Sequence, residues 1–214
     1  MSIFQEISEA LQKSKKKMVL ELIQKALDEG HGAESILNDG LLAGMDVIGT
    51  KFKNNEVFIP EVMMAARAMN EGTALLKPHL AEAGAKSLGK AIIGTVKGDL
   101  HDIGKNLVRL MVEGKGIEVI DLGVDVPTEK FYEAYVEHGA NLILCSALLT
   151  TTMGAIKEVV DYFVEKGARD KVTIMIGGAP ITQDYCKTVG ADIYSPDAAS
   201  AADVAKEMLL KKAG

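Results

Sequence analysis

The sequence predicts two folded parts, an N-terminal four-helix bundle and a C-terminal α/β domain built on a five-stranded parallel sheet. Roughly the first 88 residues carry apolar residues at helical spacing and no convincing strand. From Lys90 onward, short apolar runs alternate with amphipathic stretches, which is typical of successive β-α units. A chain of 214 residues of which 48% are apolar can hold one large domain or two small ones, each with a core.

Four helices are predicted in the N-terminal part, at residues 3–29, 33–38, 41–52 and 60–83. The last of them opens on Pro60, a residue favoured in the first helical turn because its missing amide hydrogen is not needed there. The stretch 84–90 holds two glycines and two lysines without apolar periodicity, which is typical of a linker. We therefore predict a helical domain at 1–88 and a second domain at 89–214.

Five strands alternate with five helices in the second part. The strands are predicted at 91–96, 117–122, 142–146, 172–176 and 192–194, and the helices at 103–113, 128–138, 153–166, 181–189 and 198–211. This alternation predicts a Rossmann-like, flavodoxin-like domain, because strands joined through helices pair in parallel. Such sheets bind ligands beyond the carboxyl ends of their strands, so the loops that follow the first four strands are candidate binding loops.

Charge and composition exclude several kinds of partner. The formal net charge of −6 disfavours binding to nucleic acid or to an anionic membrane surface. No apolar run reaches the ~20 residues of a membrane helix, and the N-terminus lacks the apolar centre of a signal peptide, so we expect a cytoplasmic protein. Cys145 and Cys186 belong to no CxxC pair, so neither a disulfide framework nor a zinc site is encoded.

The loop after the first predicted strand carries the strongest chemical signal, with His101 between Asp99 and Asp102 just before a helix. A neutral imidazole binds a metal through one nitrogen, and a carboxylate on the other nitrogen fixes the tautomer, so either aspartate could support His101 as a ligand. One histidine cannot hold a free metal ion. This indicates a metal already caged in a macrocycle, for which haem and corrinoid are both candidates. Alternatively, the aspartates cap the helix and His101 is a solvated loop residue.

Two later loops add polar and glycine-rich segments at the same edge of the predicted sheet. Residues 146–152 read SALLTTT after the third strand, and residues 177–180 read GGAP after the fourth. Hydroxyl groups can hydrogen-bond a buried heterocycle, and paired glycines let a bulky group pass close to the backbone. Taken separately, the hydroxyl residues could only cap a helix and the glycines could only form a turn.

Taken together, these loops resemble the cobalamin-binding domain of the corrinoid-dependent methyltransferases. Three motifs match in the family's order: DxHxxG at Asp99, His101 and Gly104, SxL at Ser146 and Leu148, and GG at Gly177 and Gly178. In that family the dimethylbenzimidazole tail of the cofactor leaves the cobalt and enters a slot beside the sheet, and the motif histidine takes its place.

The resemblance implies a role for each matching residue. His101 would be the cobalt ligand, Asp99 its hydrogen-bond partner, and Thr152 the hydroxyl residue of the family's ligand triad. Ser146 and Thr150 would contact the buried tail. The other implied cofactor-binding residues are Gly98, Asp102, Gly104, Leu148, Gly177, Gly178 and Ala198.

The N-terminal part is similar to the helical cap that precedes this domain in the same family. Residues 47–62 follow the family's pattern of a glycine, an aromatic residue, a polar turn and an apolar-Pro step. By position, Phe52, Ile59 and Val62 would cover the upper face of the corrin and shield a methyl group. The alternative from the sequence alone is that these three residues are ordinary bundle core.

The resemblance implies a corrinoid protein that carries a methyl group, cycling between cob(I)alamin and methylcob(III)alamin. Its expected partners are a substrate-specific methyltransferase, a second methyltransferase acting on folate or a thiol, and a reductive activase for oxidised cobalt. The chain itself would be a non-catalytic carrier component whose methyl donor the sequence does not identify. A cobalamin-binding subunit of an adenosylcobalamin mutase and a cobalamin-based sensor are the alternatives.

Overall fold

The computed structural model describes residues 1–84 and 88–213, with side chains described as far as residue 211. The chain divides into two compact units. The first comprises Met1–Lys86 together with Gly114–Gly116, and the second comprises Ser87–Glu113 and Ile117–Gly214. Part of the linker predicted at 84–90, residues 85–87, lies outside the described residues.

The first unit consists of α-helices joined by short turns and one π-helical segment. These are α1 (Ile3–Gln12), α2 (Lys16–Asp28), α3 (Ala33–Ser35), the π-helical segment Ile36–Leu42, α4 (Ala43–Lys53) and α5 (Ile59–Glu82). Since α3, the π-helical segment and α4 run on without a break, the described part of this unit contains four helical stretches, as the sequence predicted.

The four stretches are divided differently from the prediction. The single helix predicted at 3–29 is wrong, because Ser14 adopts a left-handed φ of 53° and separates α1 from α2. The two helices predicted at 33–38 and 41–52 are instead continuous, although Asn38, Asp39 and Gly40 look like a helix end. Gly40 is there for close packing, since a Cβ at this position would lie 3.0 Å from Ile7 Cγ2.

The core of the first unit forms where these helices meet. Its largest fully buried side chains are Ile7, Leu11, Ile23, Ile36, Leu41, Ile48 and Leu76. Two further glycines allow the helices to approach closely. A Cβ at Gly44 would lie 2.7 Å from Leu11 Cδ2, and one at Gly72 would lie 2.7 Å from Ile23 Cδ1.

The second unit alternates strands and helices as the sequence predicted. Its strands are β1 (Lys90–Thr95), β2 (Glu118–Asp121), β3 (Leu142–Ser146), β4 (Thr173–Gly177) and β5 (Ile193–Tyr194), and its helices are α6 (Ile103–Glu113), α7 (Thr128–His138), α8 (Gly154–Glu165), α9 (Gln183–Val189) and α10 (Ala198–Ala213), with a 3-10 turn at Arg169–Lys171. Each strand lies within one residue of its predicted ends.

The sheet has the order β2-β1-β3-β4-β5, and every pair is parallel. β1 therefore lies between β2 and β3, and the order of the strands along the chain reverses direction at β1. The loops that follow β1 and β3 begin side by side but lead to helices on opposite faces of the sheet, α6 and α8. Open parallel sheets bind ligands at such a switch point. The predicted fold class is confirmed.

The two faces of the sheet are covered by different helices. On one face Ile92, Ile143 and Ile174 pack with Phe131 of α7 and Phe163 of α8 in a continuous core. Residues one position later in β1, β3 and β4 point to the opposite face, because side chains alternate along a strand. That second face lies towards α6 and α10.

Candidate cofactor-binding site

The site begins at the loop between β1 and α6. Gly98 takes a left-handed φ of 82°, which turns the chain sharply after the strand. The hydroxyl of Thr95 donates to the carbonyl of His101 over 2.8 Å, so the loop closes back on the strand that it leaves. This loop geometry holds Asp99 inward and His101 at the carboxyl edge of the sheet.

Asp99 is the anchor of the loop. Its side chain is fully buried, and each carboxylate oxygen accepts several hydrogen bonds. Oδ1 accepts from the backbone amide of His101 at 3.1 Å and from its ring Nδ1 at 2.7 Å. Oδ2 accepts from the amides of Leu148 at 2.7 Å and Leu149 at 3.3 Å, and from the hydroxyl of Thr152 at 2.8 Å. Loops from two neighbouring strands are thereby joined through one carboxylate.

This environment keeps Asp99 ionised. Burial by itself would raise the pKa of the Asp99 carboxyl, but the hydrogen bonds from the Leu148 amide, the His101 ring and amide and the Thr152 hydroxyl hold the pKa well below its usual range. An anionic acceptor fixes the ring proton of His101 on Nδ1, which leaves the lone pair of Nε2 free. No described residue hydrogen-bonds Nε2, and the side chain is 48% exposed. His101 is therefore set up to bind a metal through Nε2.

Asp125, in the loop after β2, is a second anchor that the sequence did not reveal. Its carboxylate accepts from the amide of Gly98 at 2.7 Å, and its own amide donates to the carbonyl of Asp99 at 2.9 Å. Asp125 has a φ of 50°, a left-handed conformation that costs free energy for a non-glycine residue. Two hydrogen bonds to the histidine loop hold Asp125 in this conformation. These contacts join residues far apart in the sequence, so no local motif predicts them.

A slot with a volume of about 480 Å³ lies beside His101, between the second face of the sheet and helices α6 and α10. This volume falls within the range of small-molecule and cofactor pockets. Ile93, Leu144 and Met175 line its inner part and are paired in register across β1, β3 and β4. We call these three residues the floor of the slot.

A second row of residues lies two positions nearer the carboxyl edge. Ser146 pairs in register with Gly177, and Ser195 follows β5. We call Ser146, Gly177 and Ser195 the mouth of the slot. The hydroxyl of Ser195 is buried and has Met175 Sδ, a weak acceptor 3.9 Å away, as its only hydrogen-bond partner among the described residues. The Ser146 hydroxyl has no protein partner in the described part of the chain.

The glycine pair closes one wall of the slot. Gly178 has a φ of 128°, and a Cβ at this position would lie 1.8 Å from the carbonyl oxygen of Ala147, so another residue would force the loops apart. A Cβ at Gly177 would lie 3.3 Å from the carbonyl oxygen of Ser195. The pair therefore lets the loops after β3 and β4 approach one another.

These features fit the tail of a corrinoid. The slot offers hydroxyl groups without good protein partners, which a heterocycle or sugar-phosphate can satisfy. Nothing lies within 4 Å of the place where a Cβ would be at Gly104, which lines the slot next to the histidine loop. No group of three or more His, Cys, Asp or Glu side chains within residues 1–84 and 88–211 could hold a bare metal ion, so a single imidazole suits a metal that arrives in a macrocycle.

The structure brings most of the predicted site residues together. The predicted residues that line the slot are His101, Asp102, Gly104, Ser146, Leu148, Gly177, Gly178 and Ala198. Gly98, Asp99 and Thr152 lie under the histidine loop and support it. Thr150 does not line the slot, and its side chain is exposed. Its predicted contact with the tail is therefore not supported.

The structure also chooses between the two aspartates beside the histidine. Asp99 rather than Asp102 bonds the imidazole. Asp102 is exposed and accepts from Asn106 Nδ2 at 3.0 Å, and its carbonyl accepts the Asn106 amide at 2.7 Å. The Asp102 carboxylate therefore bonds the Asn106 side chain in the first turn of α6 and not the imidazole.

The three predicted cap residues differ in exposure within the first unit. Ile59 is 40% exposed and Phe52 is partly exposed. Val62 is fully buried at 0% exposure, so its predicted contact with a cofactor is not supported and it is a core residue. Phe58, which none of the sequence motifs points to, is 67% exposed.

An apolar rim surrounds His101, and the sequence motifs pointed to only one of its members, Leu148. Leu100 and Ile103, on either side of the histidine, are 72% and 74% exposed, and Val124, Leu148 and Leu149 are also exposed apolar residues of the adjacent loops. Large apolar side chains clustered at a loop edge mark a surface that another apolar group covers. Apolar residues inside a polar loop motif, at positions 100 and 103, were the signal available in the sequence.

The fold and the site together define a protein class: a helical unit followed by a parallel α/β domain that presents one histidine beside a tail-sized slot. Comparison with known proteins agrees. Two family models, each described as a B12 binding domain, match residues 89–204 and 3–77. The chain belongs to this B12-binding family of corrinoid proteins.

Individual relatives are similar over nearly their whole length. Dimethylamine corrinoid protein 1 of Methanosarcina mazei is 44% identical over 211 residues, covering 98% of this chain and 97% of the relative. A corrinoid protein of Desulfitobacterium hafniense is 42% identical over 214 residues, covering 99% of each. Among solved structures, the methanol:cobalamin methyltransferase complex MtaBC from Methanosarcina barkeri contains a chain with a TM-score of 0.89 and 33% identity, covering 97% of this chain and 80% of that one.

Proposed function

We propose that this chain carries a methyl group on the cobalt of a bound corrinoid between two methyltransferases. The observation that supports this most strongly is the His101 imidazole, whose Nδ1 proton is fixed by the buried Asp99 carboxylate at 2.7 Å and whose Nε2 lies free beside the slot. Family membership favours this function over a mutase subunit or a sensor. The chain is then a carrier component, and the methyl donor and acceptor bind to its partner proteins.

His101 would hold the cobalt of a bound corrinoid through Nε2, since Nδ1 is bonded to Asp99. When bound, the corrinoid supplies the nucleophilic and methyl-accepting chemistry, and the protein positions and tunes it. Asp99 keeps the Nδ1 proton in place and raises the donor strength of Nε2, while Thr152 and the Leu148 amide keep Asp99 itself anionic.

The slot is proposed to take the lower tail of the corrinoid. Ser146 and Ser195 offer hydroxyl groups at the mouth, and Gly104, Gly177 and Gly178 keep the entry clear. The exposed apolar residues Leu100 and Ile103 suit a position under the macrocycle, because its ring is largely apolar.

The partners proposed are a substrate-specific methyltransferase, an acceptor methyltransferase and a reductive activase. Support for the first comes from the relatives, one of which is named for dimethylamine and one of which forms part of a methanol:cobalamin methyltransferase complex. We propose a cytoplasmic protein with domains at 1–88 and 89–214 and no nucleic-acid partner. Among the described residues, no helix has the length and apolar character to cross a membrane.

The histidine assignment is tested by electron paramagnetic resonance of the cobalt(II) state. Wild type reconstituted with cobalamin should bind one corrinoid per chain and show hyperfine splitting from one axial nitrogen. His101→Ala should lose that splitting. His138→Ala is the matched control, because His138 is a partly exposed histidine on α7 outside the slot. In wild type labelled with ¹⁵N-histidine the splitting should change from the three lines of ¹⁴N to the two lines of ¹⁵N. An unchanged three-line splitting would overturn the assignment, because the ligand would then be the unlabelled base of the cofactor.

A further inference from the structure

The loop between β2 and α7 is a fixed support beside the histidine loop. It is fastened to β1 through the backbone of Thr95, whose amide donates to the Gly123 carbonyl at 3.0 Å and whose carbonyl accepts from the Val126 amide at 3.0 Å. At the start of the loop, the Asp121 carboxylate accepts from the Gly123 amide at 2.9 Å and from the buried ammonium of Lys105 at 2.5 Å. Since both ends are bound to other elements, the loop keeps its position relative to β1.

Asp125 extends from this loop to two successive residues of the histidine loop. Its carboxylate accepts from the Gly98 amide at 2.7 Å, and its amide donates to the Asp99 carbonyl at 2.9 Å. The second bond is made by the backbone and is kept in any substitution other than proline, so the side chain contributes the bond to Gly98. The Asp125 carboxylate therefore fixes the turn from which the Asp99 carboxylate reaches His101 Nδ1.

Two requirements meet at position 125. The φ of 50° lies in the left-handed region, which glycine, asparagine and aspartate enter more readily than other residues. The bond to Gly98 also needs an acceptor on a short side chain. Aspartate and asparagine meet both requirements, glycine meets only the first, and alanine meets neither. Because Asp125 is exposed, its bond to the histidine loop rather than packing explains the residue type.

We infer that Asp125 is a positioning residue for the axial ligand and acts on His101 through Gly98 and Asp99. The inference rests on the proposed function. With the carboxylate bond in place, the imidazole is held where Nε2 can bind the cobalt. Without that bond the turn at Gly98 gains freedom, which the imidazole must lose again when it binds the metal. Axial ligation should then weaken although every contact of the Asp99 carboxylate is still available.

The effect on the fold should be small. The Gly98 backbone and the Asp125 side chain are both exposed, so water replaces the bond when the acceptor is removed. Asp125→Gly also keeps the left-handed conformation without steric cost. We therefore expect Asp125→Gly to bind cobalamin about 3- to 10-fold more weakly, the effect of one hydrogen bond, while its unfolding midpoint in denaturant stays close to that of wild type.

Three variants of the full-length chain are compared in titrations with cobalamin followed by absorption. Asp125→Gly removes the acceptor and keeps the backbone conformation, whereas Asp125→Asn keeps both and should bind as wild type does. Ser14→Gly is the matched control, because Ser14 also has a left-handed φ, of 53°, but lies in the turn between α1 and α2. Its affinity for cobalamin should be unchanged.

A double variant tests whether Asp125 acts through the ligand. In the His101→Ala background no imidazole remains to be positioned, so Asp125→Gly should change cobalamin affinity by no more than about twofold. A general structural role would instead weaken binding equally in both backgrounds. In the protein without cofactor, hydrogen exchange of the Gly98 amide should be faster in Asp125→Gly than in Asp125→Asn.

The outcomes separate the inference from the function. Wild type labelled with ¹⁵N-histidine that shows no ¹⁵N splitting in its cobalt(II) spectrum would overturn the function, and the inference with it. If that splitting is present, the inference alone is overturned by wild-type affinity in Asp125→Gly, by equal losses in Asp125→Gly and Asp125→Asn, or by a loss of stability as large as the loss of affinity. If His101→Ala binds too weakly to be titrated, the comparison of the glycine and asparagine variants decides.

Discussion

Asp99→Asn is the substitution that most directly probes the site. The amide keeps the size of the carboxylate but has one acceptor oxygen where Asp99 has two. Three donors, from Leu148, Leu149 and Thr152, converge on Oδ2, so the amide oxygen is expected to take that side. The amide NH₂ then faces His101 Nδ1, which must become an acceptor. The ring proton moves to Nε2, and the imidazole can no longer bind cobalt through that atom.

The cost in stability follows from the donors that lose their acceptor. The two donors on Oδ1 are the amide and the ring of His101. The ring is half exposed and can change tautomer, so the backbone amide is the group left without an acceptor. One such donor contributes about 1–3 kcal/mol. The variant should therefore fold, with its free energy of unfolding lowered by about that amount.

Two measurements check the Asp99→Asn prediction. Denaturant unfolding of the protein without cofactor gives the change in stability, and electron paramagnetic resonance of the cobalt(II) state gives the ligand. Asp102→Asn is the control, since Asp102 is exposed and contacts Asn106 rather than the imidazole. Asp99→Asn with wild-type stability and an intact axial nitrogen would refute the reasoning that the carboxylate sets the tautomer.

Four further predictions follow from the same geometry. Thr152→Val removes one hydrogen bond to Asp99 and should lower the free energy of unfolding by about 1–2 kcal/mol, so an unchanged unfolding midpoint would contradict its role. Because the folded protein lowers the pKa of Asp99, the ionised carboxylate stabilises the fold above the ordinary carboxyl pKa of about 4, and this stabilisation is lost as the pH falls below that value. The difference in free energy of unfolding between wild type and Asp99→Asn, measured with denaturant, should therefore shrink below that pH. Val62→Ala should lower the free energy of unfolding by about 2 kcal/mol and Ile59→Ala by well under 1 kcal/mol, because Val62 is buried and Ile59 is exposed. Equal losses in denaturant unfolding would mean that the first unit is packed differently. Gly178→Ala should lose corrinoid binding, measured by the absorption of the cofactor, because the added Cβ would clash with the Ala147 carbonyl. Unchanged affinity would show that the loops after β3 and β4 can move apart without loss of the site.

The sequence was sufficient for the α/β domain because its signals are local. Each strand is a short apolar run bounded by polar residues, and each is followed by an amphipathic helix, so periodicity alone located all five strands within one residue. The helical unit was harder. Ser14 interrupts a periodic pattern through its backbone conformation, and Gly40 continues a helix because Ile7 packs against it. The contact between Gly40 and Ile7 is tertiary and lies outside any local window. The turn at Ser14 is held by local hydrogen bonds, from its own amide to the Leu11 carbonyl and from the Lys15 amide to the Ala10 carbonyl, and apolar periodicity does not reveal it.

The sequence predicted which residues form the site, but not which hydrogen bonds join them. The spacing of Asp99 and His101 indicates a supported ligand, but the sequence could not choose between Asp99 and Asp102. The aspartate that bonds the imidazole is the one whose carboxylate points inward, where the backbone amides of Leu148 and Leu149 donate to it. Every residue except proline has such an amide, so the sequence carries no sign of this contact. Asp125 was missed for the same reason, since its bonds also run to backbone groups.

The strand order explains why motifs so far apart in the sequence act together. Thr95 of β1 and Ser146 of β3 are register partners, so the loops that follow them leave the sheet side by side. Asp99 can therefore reach the Leu148 amide across 2.7 Å although 49 residues separate the two along the chain. The same strand pair contributes Ile93 and Leu144 to the floor of the slot. The ligand to the metal and the slot for the tail are thus both positioned from one pair of central strands, so corrinoid binding is expected to be a property of the second unit.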